Sequence, residues 1–286
     1  MLTRLTPAGR HLLDLFFPAP CLACGELEPP ETGSWRYGQA QRIGLCARCR
    51  LALTPQPRPA CQACARPFPG VALPQPWLCP GCRRRSRANR LPHERLIVAW
   101  VYRPPIDSVI LALKFRGLRY LARGLAESLA SRVALETPRP EVVVPVPLHW
   151  RRQFARGYNQ AEELASAVAR RLGLPLVRAL RRARPTRPQM SLALAERQAN
   201  LRRSFAGHRG ARKTRGRRVL LVDDVVTSGA TLGEAARCLR RSGAREVYGA
   251  AVARAPDPGS ESAAKARERL RGLALSSPCS ASPHGS

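Results

Sequence analysis

The stretch RRVLLVDDVVTSGATLGEAARCL, residues 217–239, decides the fold of the second half of this chain. A run of apolar residues ends in two adjacent acids, Asp223 and Asp224, and small and hydroxyl-bearing residues follow before a segment with helical spacing. This order predicts a buried strand, a tight turn and a helix. Ligands of parallel sheets bind at the carboxyl ends of the strands, so we expect the two acids to lie at a ligand site.

The turn after the acids has the composition of an anion site. Backbone N–H groups at a helix N-terminus, together with the helix dipole, favour a phosphate. We expect this cradle from five consecutive residues: Thr227, Ser228, Gly229, Ala230 and Thr231. Carboxylates at Asp223 and Asp224 would accept hydrogen bonds from vicinal hydroxyls, so the stretch predicts a ribose 5-phosphate site. The alternatives are acids that only cap the helix, or the metal-binding acids of an ATPase. An ATPase needs a G-x-x-x-x-G-K-[ST] loop, and no lysine in this chain follows a glycine.

Strand-like and helical segments alternate through the second half of the chain. The predicted strands are LIVAWVY, EVVVPVP, RRVLLVDD and EVYGAAVAR. The predicted helices begin near Ile106, near Tyr120, in YNQAEELASAVARRLG and in TLGEAARCLRRSG, and Gly173 ends the third. Such alternation is typical of an α/β fold with a parallel sheet flanked by helices.

Eight of the ten cysteines form four C-x-x-C pairs in the first third of the chain. The pairs are Cys21/Cys24, Cys46/Cys49, Cys61/Cys64 and Cys79/Cys82. Two such pairs direct four thiolates at one centre, which suits tetrahedral Zn²⁺, so we expect about two structural zinc ions. A disulfide framework and redox C-x-x-C sites are the alternatives. Sequential pairing would give two zinc ribbons, and an interleaved arrangement of first with third pair stays open.

These patterns predict four regions. They are an N-terminal amphipathic helix over 1–20, a double zinc ribbon over 21–92, the α/β domain over 93–253 and a disordered tail over 254–286. No run approaches the ~20 apolar residues that span a bilayer. The N-terminal apolar patch is interrupted by Asp14 and lacks a cleavage site, so we expect a cytoplasmic protein.

The formal net charge is +30, and arginine carries nearly all of the positive charge because the chain has only three lysines, Lys114, Lys213 and Lys265. Such a field favours nucleic acid or other phosphorylated partners. A compositional bias towards Arg, Ala and Pro is the alternative. Lys114 is either a phosphate contact or a surface lysine.

The stretch VLLVDDVVTSGATL resembles the signature of type I phosphoribosyltransferases, which bind 5-phosphoribosyl-1-pyrophosphate (PRPP) with Mg²⁺. Three further stretches resemble motifs of the ComF (GntX-like) family of competence proteins: LALKFRG, PVPLHWRRQFARGYNQAEELA and RPTRPQMSLALAERQANLRRSF. In the last, Gln189, Leu192, Arg197, Asn200 and Phe205 are in register with the family pattern. The paired C-x-x-C module before a phosphoribosyltransferase-like domain is the arrangement of that family, and the resemblance covers about residues 12–253.

The resemblance implies roles for particular residues. Asp223 and Asp224 would contact the ribose hydroxyls, and the loop Thr227–Thr231 would wrap the 5-phosphate of PRPP. Arg151, Arg152 and Arg156 follow a predicted strand and are candidate pyrophosphate contacts, since guanidinium groups bind phosphate in a bidentate manner. A solvated basic loop is the alternative for these arginines.

The resemblance also implies a role in natural transformation, with single-stranded DNA and competence or recombination proteins as partners. Arginine clusters at 83–90, 151–156, 181–187 and 209–218 would follow the phosphate backbone, and Trp35, Trp77, Trp100 and Trp150 offer stacking surfaces. Two alternatives stand beside it. One is an active phosphoribosyltransferase of nucleotide or amine metabolism that releases pyrophosphate from PRPP, and the other is an adaptor that docks proteins through its ribbons.

Overall fold

Four parallel strands form the central sheet of the protein. The computed structural model describes residues 20–27, 43–68, 77–88, 91–148, 154, 156–183 and 204–256. The strands are, in chain order, β1 (Arg95–Val101), β2 (Val142–Pro145), β3 (Leu180–Arg182), β4 (Phe205–Gly207), β5 (Arg218–Val226) and β6 (Glu246–Arg254). The central sheet has the order β1-β6-β5-β2, and each of its three pairings is parallel, which confirms the predicted α/β fold.

The predicted helices of the second half are present within one or two residues of their expected limits. The helices are α1 (Ala47–Leu51), α2 (Pro80–Arg87), α3 (Ile106–Phe115), α4 (Leu121–Glu136), α5 (Gln160–Leu172) and α6 (Ala230–Arg241), and a 3-10 helix spans Arg209–Thr214. Helix α5 ends where Gly173 adopts φ 65°, in the left-handed conformation that glycine tolerates. The side chain of Asn159 caps its other end by accepting a hydrogen bond from Ala161 N.

The sheet separates two apolar layers, and β5 shows this by its alternation. Leu220 and Val222 face a cluster that contains the buried side chains of α3, α4 and α5. Val219 and Leu221 face a second cluster, which contains α6 and the β3–β4 hairpin. Successive residues of a strand point to opposite faces, so the two acids that follow Val222 also point to opposite layers.

The β3–β4 hairpin is an element that the sequence patterns did not predict. Its two strands are antiparallel and three residues long each, and Ala183 N donates to Ser204 O across 2.8 Å where the chain leaves and re-enters the described part. Strands this short carry too few residues for a period of two to be detected. The motif residues Gln189, Leu192, Arg197 and Asn200 lie outside the described residues.

The cysteine-rich segment pairs with the outer edge of β1. Gln56 N donates to Ala99 O (3.0 Å) and Val101 N donates to Thr54 O (2.9 Å). Farther along the strand, Leu96 N donates to Gln62 O (2.7 Å). An open strand edge is a site of unwanted association, and here the segment covers it with backbone hydrogen bonds.

Two further contacts join the cysteine-rich segment to the sheet domain. Leu45 and Cys46 are buried in the same cluster as Leu121 of α4. On the other side, His93 is 5% exposed and its Nε2 lies 2.7 Å from Ala63 O. Burial lowers the pKa of His93 to about 4, so this imidazole is neutral at physiological pH. The boundary predicted near residue 93 is thus crossed by contacts, and the limits of the two regions stay predictions.

The ends of the chain are only partly described. Residues 1–19 of the predicted N-terminal helix and residues 257–286 of the predicted tail lie outside the described residues. Within the part of the chain that the structure describes, no helix combines the length and apolarity needed to cross a bilayer.

Candidate functional site

The eight paired cysteines converge on two four-sulfur centres. One contains Cys21, Cys24, Cys46 and Cys49, and the other contains Cys61, Cys64, Cys79 and Cys82, with the sulfurs of each centre within 4.8 Å of one another. This is the sequential pairing of the two arrangements that the sequence allowed.

The sulfur positions fit tetrahedral zinc. Cys24 Sγ lies 3.8 Å from Cys46 Sγ, and Cys64 Sγ lies 3.8 Å from Cys79 Sγ. Sulfurs at about 2.3 Å from a tetrahedral Zn²⁺ are separated by about 3.8 Å. Four sulfur ligands leave no open coordination position, so these centres suit structural rather than catalytic zinc.

The two centres are built as a repeat. Cys46 N donates to Cys21 Sγ (3.4 Å), and Cys79 N donates to Cys61 Sγ (3.3 Å) at the equivalent place. Each first knuckle ends in a left-handed residue, Gly25 at φ 76° and Ala65 at φ 56°. Backbone N–H groups directed at the sulfurs stabilise thiolates, which are the form that zinc binds.

The two acids of the decisive stretch lie near the carboxyl end of β5, which continues to Val226. Asp224 is 5% exposed, and its Oδ1 lies 2.9 Å from Lys114 Nζ of α3. Asp223, on the opposite face, accepts a hydrogen bond from Asp224 N (2.8 Å). Removal from water, and then the charge of Asp224, raises the pKa of Asp223 to about 7, whereas Lys114 and Arg182 act in the other direction.

The loop that follows is arranged as expected at a helix N-terminus. Gly229 adopts φ 73° at the N-cap of α6, and Thr227 and Ser228 are exposed to solvent. The loop is tied to the adjacent strand, because Arg254 Nη1 donates to Thr227 O (3.2 Å) and Ala255 N donates to Val226 O (2.8 Å). A left-handed residue at this position favours glycine, which explains why Gly229 stands there.

Arg156 is the one predicted pyrophosphate contact within the described residues, and Arg151 and Arg152 lie outside them. Its guanidinium lies 4.7 Å from the centre of the Phe115 ring, and Phe115 directly follows Lys114. Since Lys114 pairs with Asp224, the structure brings Arg156 to the same end of the sheet as the acids. The segments KFRG and RGYNQ, which are distant in sequence, therefore meet at this site.

Two residues of the site were missed by reasoning from the sequence. Lys114 was left between a phosphate contact and a surface lysine, and the structure shows it paired with a buried carboxylate. Arg254 ends β6 with 7% exposure and holds the loop carbonyl of Thr227. A basic residue that ends an otherwise apolar strand was a usable signal for Arg254. The partner of Lys114 had no local signal.

Comparison with known proteins identifies two matching family models. A phosphoribosyl transferase domain model matches residues 157–270, and a double zinc ribbon domain model matches residues 12–83. Competence protein F of Haemophilus influenzae is 32% identical over 218 residues, which are 74% of this chain and 91% of that protein. DNA utilization protein YhgH of Salmonella typhi is 33% identical over 220 residues, 71% of this chain and 94% of that protein.

Among solved structures, a glutamine PRPP amidotransferase from B. subtilis, complexed with ADP and GMP, has a TM-score of 0.32 and 26% identity. The match covers 46% of this chain and 25% of that one.

Metal analysis of the purified chain should find two zinc ions per molecule, one for each four-sulfur centre. The double variant Cys21→Ser/Cys49→Ser tests the pairing, because both substitutions fall in one centre. We expect about one zinc ion to remain. Under interleaved pairing the two substitutions would damage both centres, so a chain without zinc would contradict the pairing described above.

The raised pKa of Asp223 predicts a pH-dependent stability. Its folded pKa of about 7 exceeds the ordinary value of about 4, so this carboxyl favours folding when protonated, and the contribution is lost as pH rises through 7. Asp223→Asn cannot ionise. We expect it to be more stable than the parent chain at about pH 8, by on the order of 2 kcal/mol, with a smaller difference near pH 5, measured by urea unfolding.

Lys114→Met is the opposing variant for that measurement. It leaves Asp224 without its cation and should lower the free energy of unfolding at about pH 8. If both variants shift stability in the same direction at that pH, the assignment of charges at the end of β5 is wrong.

Proposed function

The chain belongs to the ComF family of competence proteins, and on that premise we propose that it binds PRPP and acts in the uptake or use of single-stranded DNA. The observation that carries the first half of this proposal is the end of β5, where two carboxylates precede a loop held at a helix N-terminus. The names of the relatives support the second half.

In the proposed complex, the residues at the end of β5 divide the ligand between them. Asp223 and Asp224 would accept hydrogen bonds from the ribose hydroxyls. The loop Thr227–Thr231 would hold the 5-phosphate with backbone N–H groups and hydroxyls. Arg156, with Arg151 and Arg152, would contact the pyrophosphate.

The donor set also fits a hard cation that arrives with the ligand. Carboxylate oxygens and phosphates are the preferred ligands of Mg²⁺. The raised pKa of Asp223 reports negative charge that Lys114 and Arg182 do not fully balance, and a nearby cation would relieve it. When bound, Mg²⁺ would supply neutralisation of the pyrophosphate charge.

A second candidate function is phosphoribosyl transfer from PRPP to a base or an amine. The specific observation that favours it is the intact set of acids and cradle residues, which a protein with only a DNA-binding role would not need. Such a transfer develops positive charge on the ribose ring, and the carboxylates at the end of β5 would stabilise that charge while the arginines hold the leaving pyrophosphate. The acceptor is the part that the site does not specify.

The DNA half of the proposal rests on charge and on the zinc-binding segment. Arg83, Arg84 and Arg87 are exposed on α2, next to the second four-sulfur centre, and a basic stretch covers the 3-10 helix at 209–214. Phosphate contacts of this kind are sequence-independent. We further propose a cytoplasmic location, where thiols stay reduced and zinc centres persist, and competence or recombination proteins as further partners.

The test of the PRPP site is calorimetric titration with PRPP and Mg²⁺, combined with a pyrophosphate-release assay in the presence of a pool of bases and small amines. The double variant Asp223→Asn/Asp224→Asn should lose PRPP binding while its circular dichroism and zinc content stay unchanged. Release above that variant identifies a transferase. Binding without release supports a PRPP-responsive role, and binding that survives in the variant contradicts the site.

Binding of single-stranded DNA should depend steeply on salt. We expect the affinity for a 20-nucleotide oligothymidine to fall by at least tenfold between about 50 and 200 mM salt, because bound arginines release counterions. Replacing Arg83, Arg84 and Arg87 together by Ala should reduce both the affinity and the salt slope. Failure of the parent chain to bind at low salt would contradict the DNA half of the proposal and leave the PRPP half standing.

A further inference from the structure

A cavity lies between the cysteine-rich segment and the edge of β1. Its volume is about 100 Å³, and its walls include Gln56, Gln62, Trp77, Leu96 and Val98. The segment is hydrogen-bonded to β1 at Leu96 and again at Ala99 and Val101, and the cavity occupies the gap between these two pairing points. It is therefore built by the docking of the zinc-binding segment on the sheet.

The cavity contains a buried acceptor without a partner. Gln56 is 4% exposed, and its Nε2 donates to Ala65 O across 2.7 Å. That hydrogen bond fixes the amide, while Oε1 makes no hydrogen bond. A buried carbonyl oxygen without a donor costs about 1–3 kcal/mol, so its retention indicates a ligand with an N–H group.

The remaining walls describe the rest of the ligand. Trp77 supplies an aromatic surface, and its backbone carbonyl is held by Gln62 N at 2.8 Å, which fixes its place in the wall. Leu96 and Val98 supply apolar contact. Two arginines line the cavity as well, Arg58, which is paired with Glu136, and Arg95. An aromatic surface, an inward acceptor and cations nearby are the recognition elements for a base that carries a phosphate.

We propose that this cavity receives one base of single-stranded DNA, stacked on Trp77 and donating an N–H to Gln56 Oε1. The proposal rests on the DNA half of the proposed function and locates its contact. Each of the four bases carries an N–H donor on its pairing edge, so the contact tolerates any sequence, and the volume favours a single pyrimidine ring. The neighbouring phosphates would then lie near Arg95 and the exposed arginines of α2.

The same ribbon contributes to both sides of this contact. Cys61 lines the cavity, and its centre also contains Cys79 and Cys82, which flank the start of the basic helix α2. Zinc at this centre would fix Trp77 and α2 relative to the edge of β1. Removal of zinc should therefore abolish base recognition as well as ribbon stability.

The experiment compares two oligonucleotides of equal charge on the zinc-loaded full chain by fluorescence anisotropy. One is a 20-nucleotide oligothymidine, and the other has the same number of phosphates and only abasic sites. We expect the parent chain to bind the thymidine strand about tenfold more tightly, the effect of stacking one base. A strand of N3-methylthymine, which keeps the ring but lacks the N–H, should lose part of this preference.

The variants assign the preference to the cavity. Trp77→Leu and Gln56→Leu should each reduce the tenfold ratio to near one while the abasic strand binds as before. Trp77→Phe is the matched control, because it keeps a stacking ring and should keep most of the ratio. Zinc content and thermal unfolding verify that each variant is folded, and the Trp77 pair suffices if Gln56→Leu loses zinc.

Three outcomes would overturn the proposal in distinguishable ways. Equal and tight binding of both strands by the parent chain means that no base enters, and the DNA half of the proposed function stands. A preference that survives in Trp77→Leu places the base elsewhere on the chain. Absence of binding to either strand overturns the DNA half of the proposed function and this cavity contact with it, while PRPP binding is unaffected.

Discussion

The hydrogen-bonded register of β5 against β6 is the constraint on which the site depends. The two strands are nine residues each and pair in parallel from Arg218 with Glu246 to Val226 with Arg254, so they end at the same level. That level end lets Arg254 hold the carbonyl of Thr227 and lets Ala255 hold Val226. A slip by one residue would exchange the two faces of β5 and separate Asp224 from Lys114.

Zinc and the sheet edge support each other in the first part of the chain. The cysteine-rich segment has short helices and only a small core of its own around Cys61, Ala63, Cys79 and Cys82. Two metal centres would supply stability that such a segment lacks. In return, the segment covers the outer edge of β1 and encloses a cavity there. The ribbons are thus part of the framework around the sheet as well as a basic surface.

The excess of arginine has two distinct uses in the described residues. Many arginines pair with the few acids, as Arg119 does with Glu163 and Arg171 does with Glu127, and such exposed pairs contribute little to stability. The arginines that outnumber the acids remain on the surface, and their summed field attracts polyanions at long range. Because the acids at the end of β5 lie inside this field, an anionic ligand is drawn to the one place where carboxylates wait for hydroxyl groups.

The sequence by itself determined the features that depend on neighbours in the chain. The C-x-x-C knuckles, the order of acids, glycine and helix in 217–239, and the alternation that predicts a parallel sheet all arise from local spacing. The sulfur pairing, the β3–β4 hairpin, the partner of Lys114 and the unpartnered oxygen of Gln56 were decided only by the tertiary structure. Each of these depends on which distant segments are packed together. Local spacing carries no information about that choice, because many packings satisfy the same periodicity.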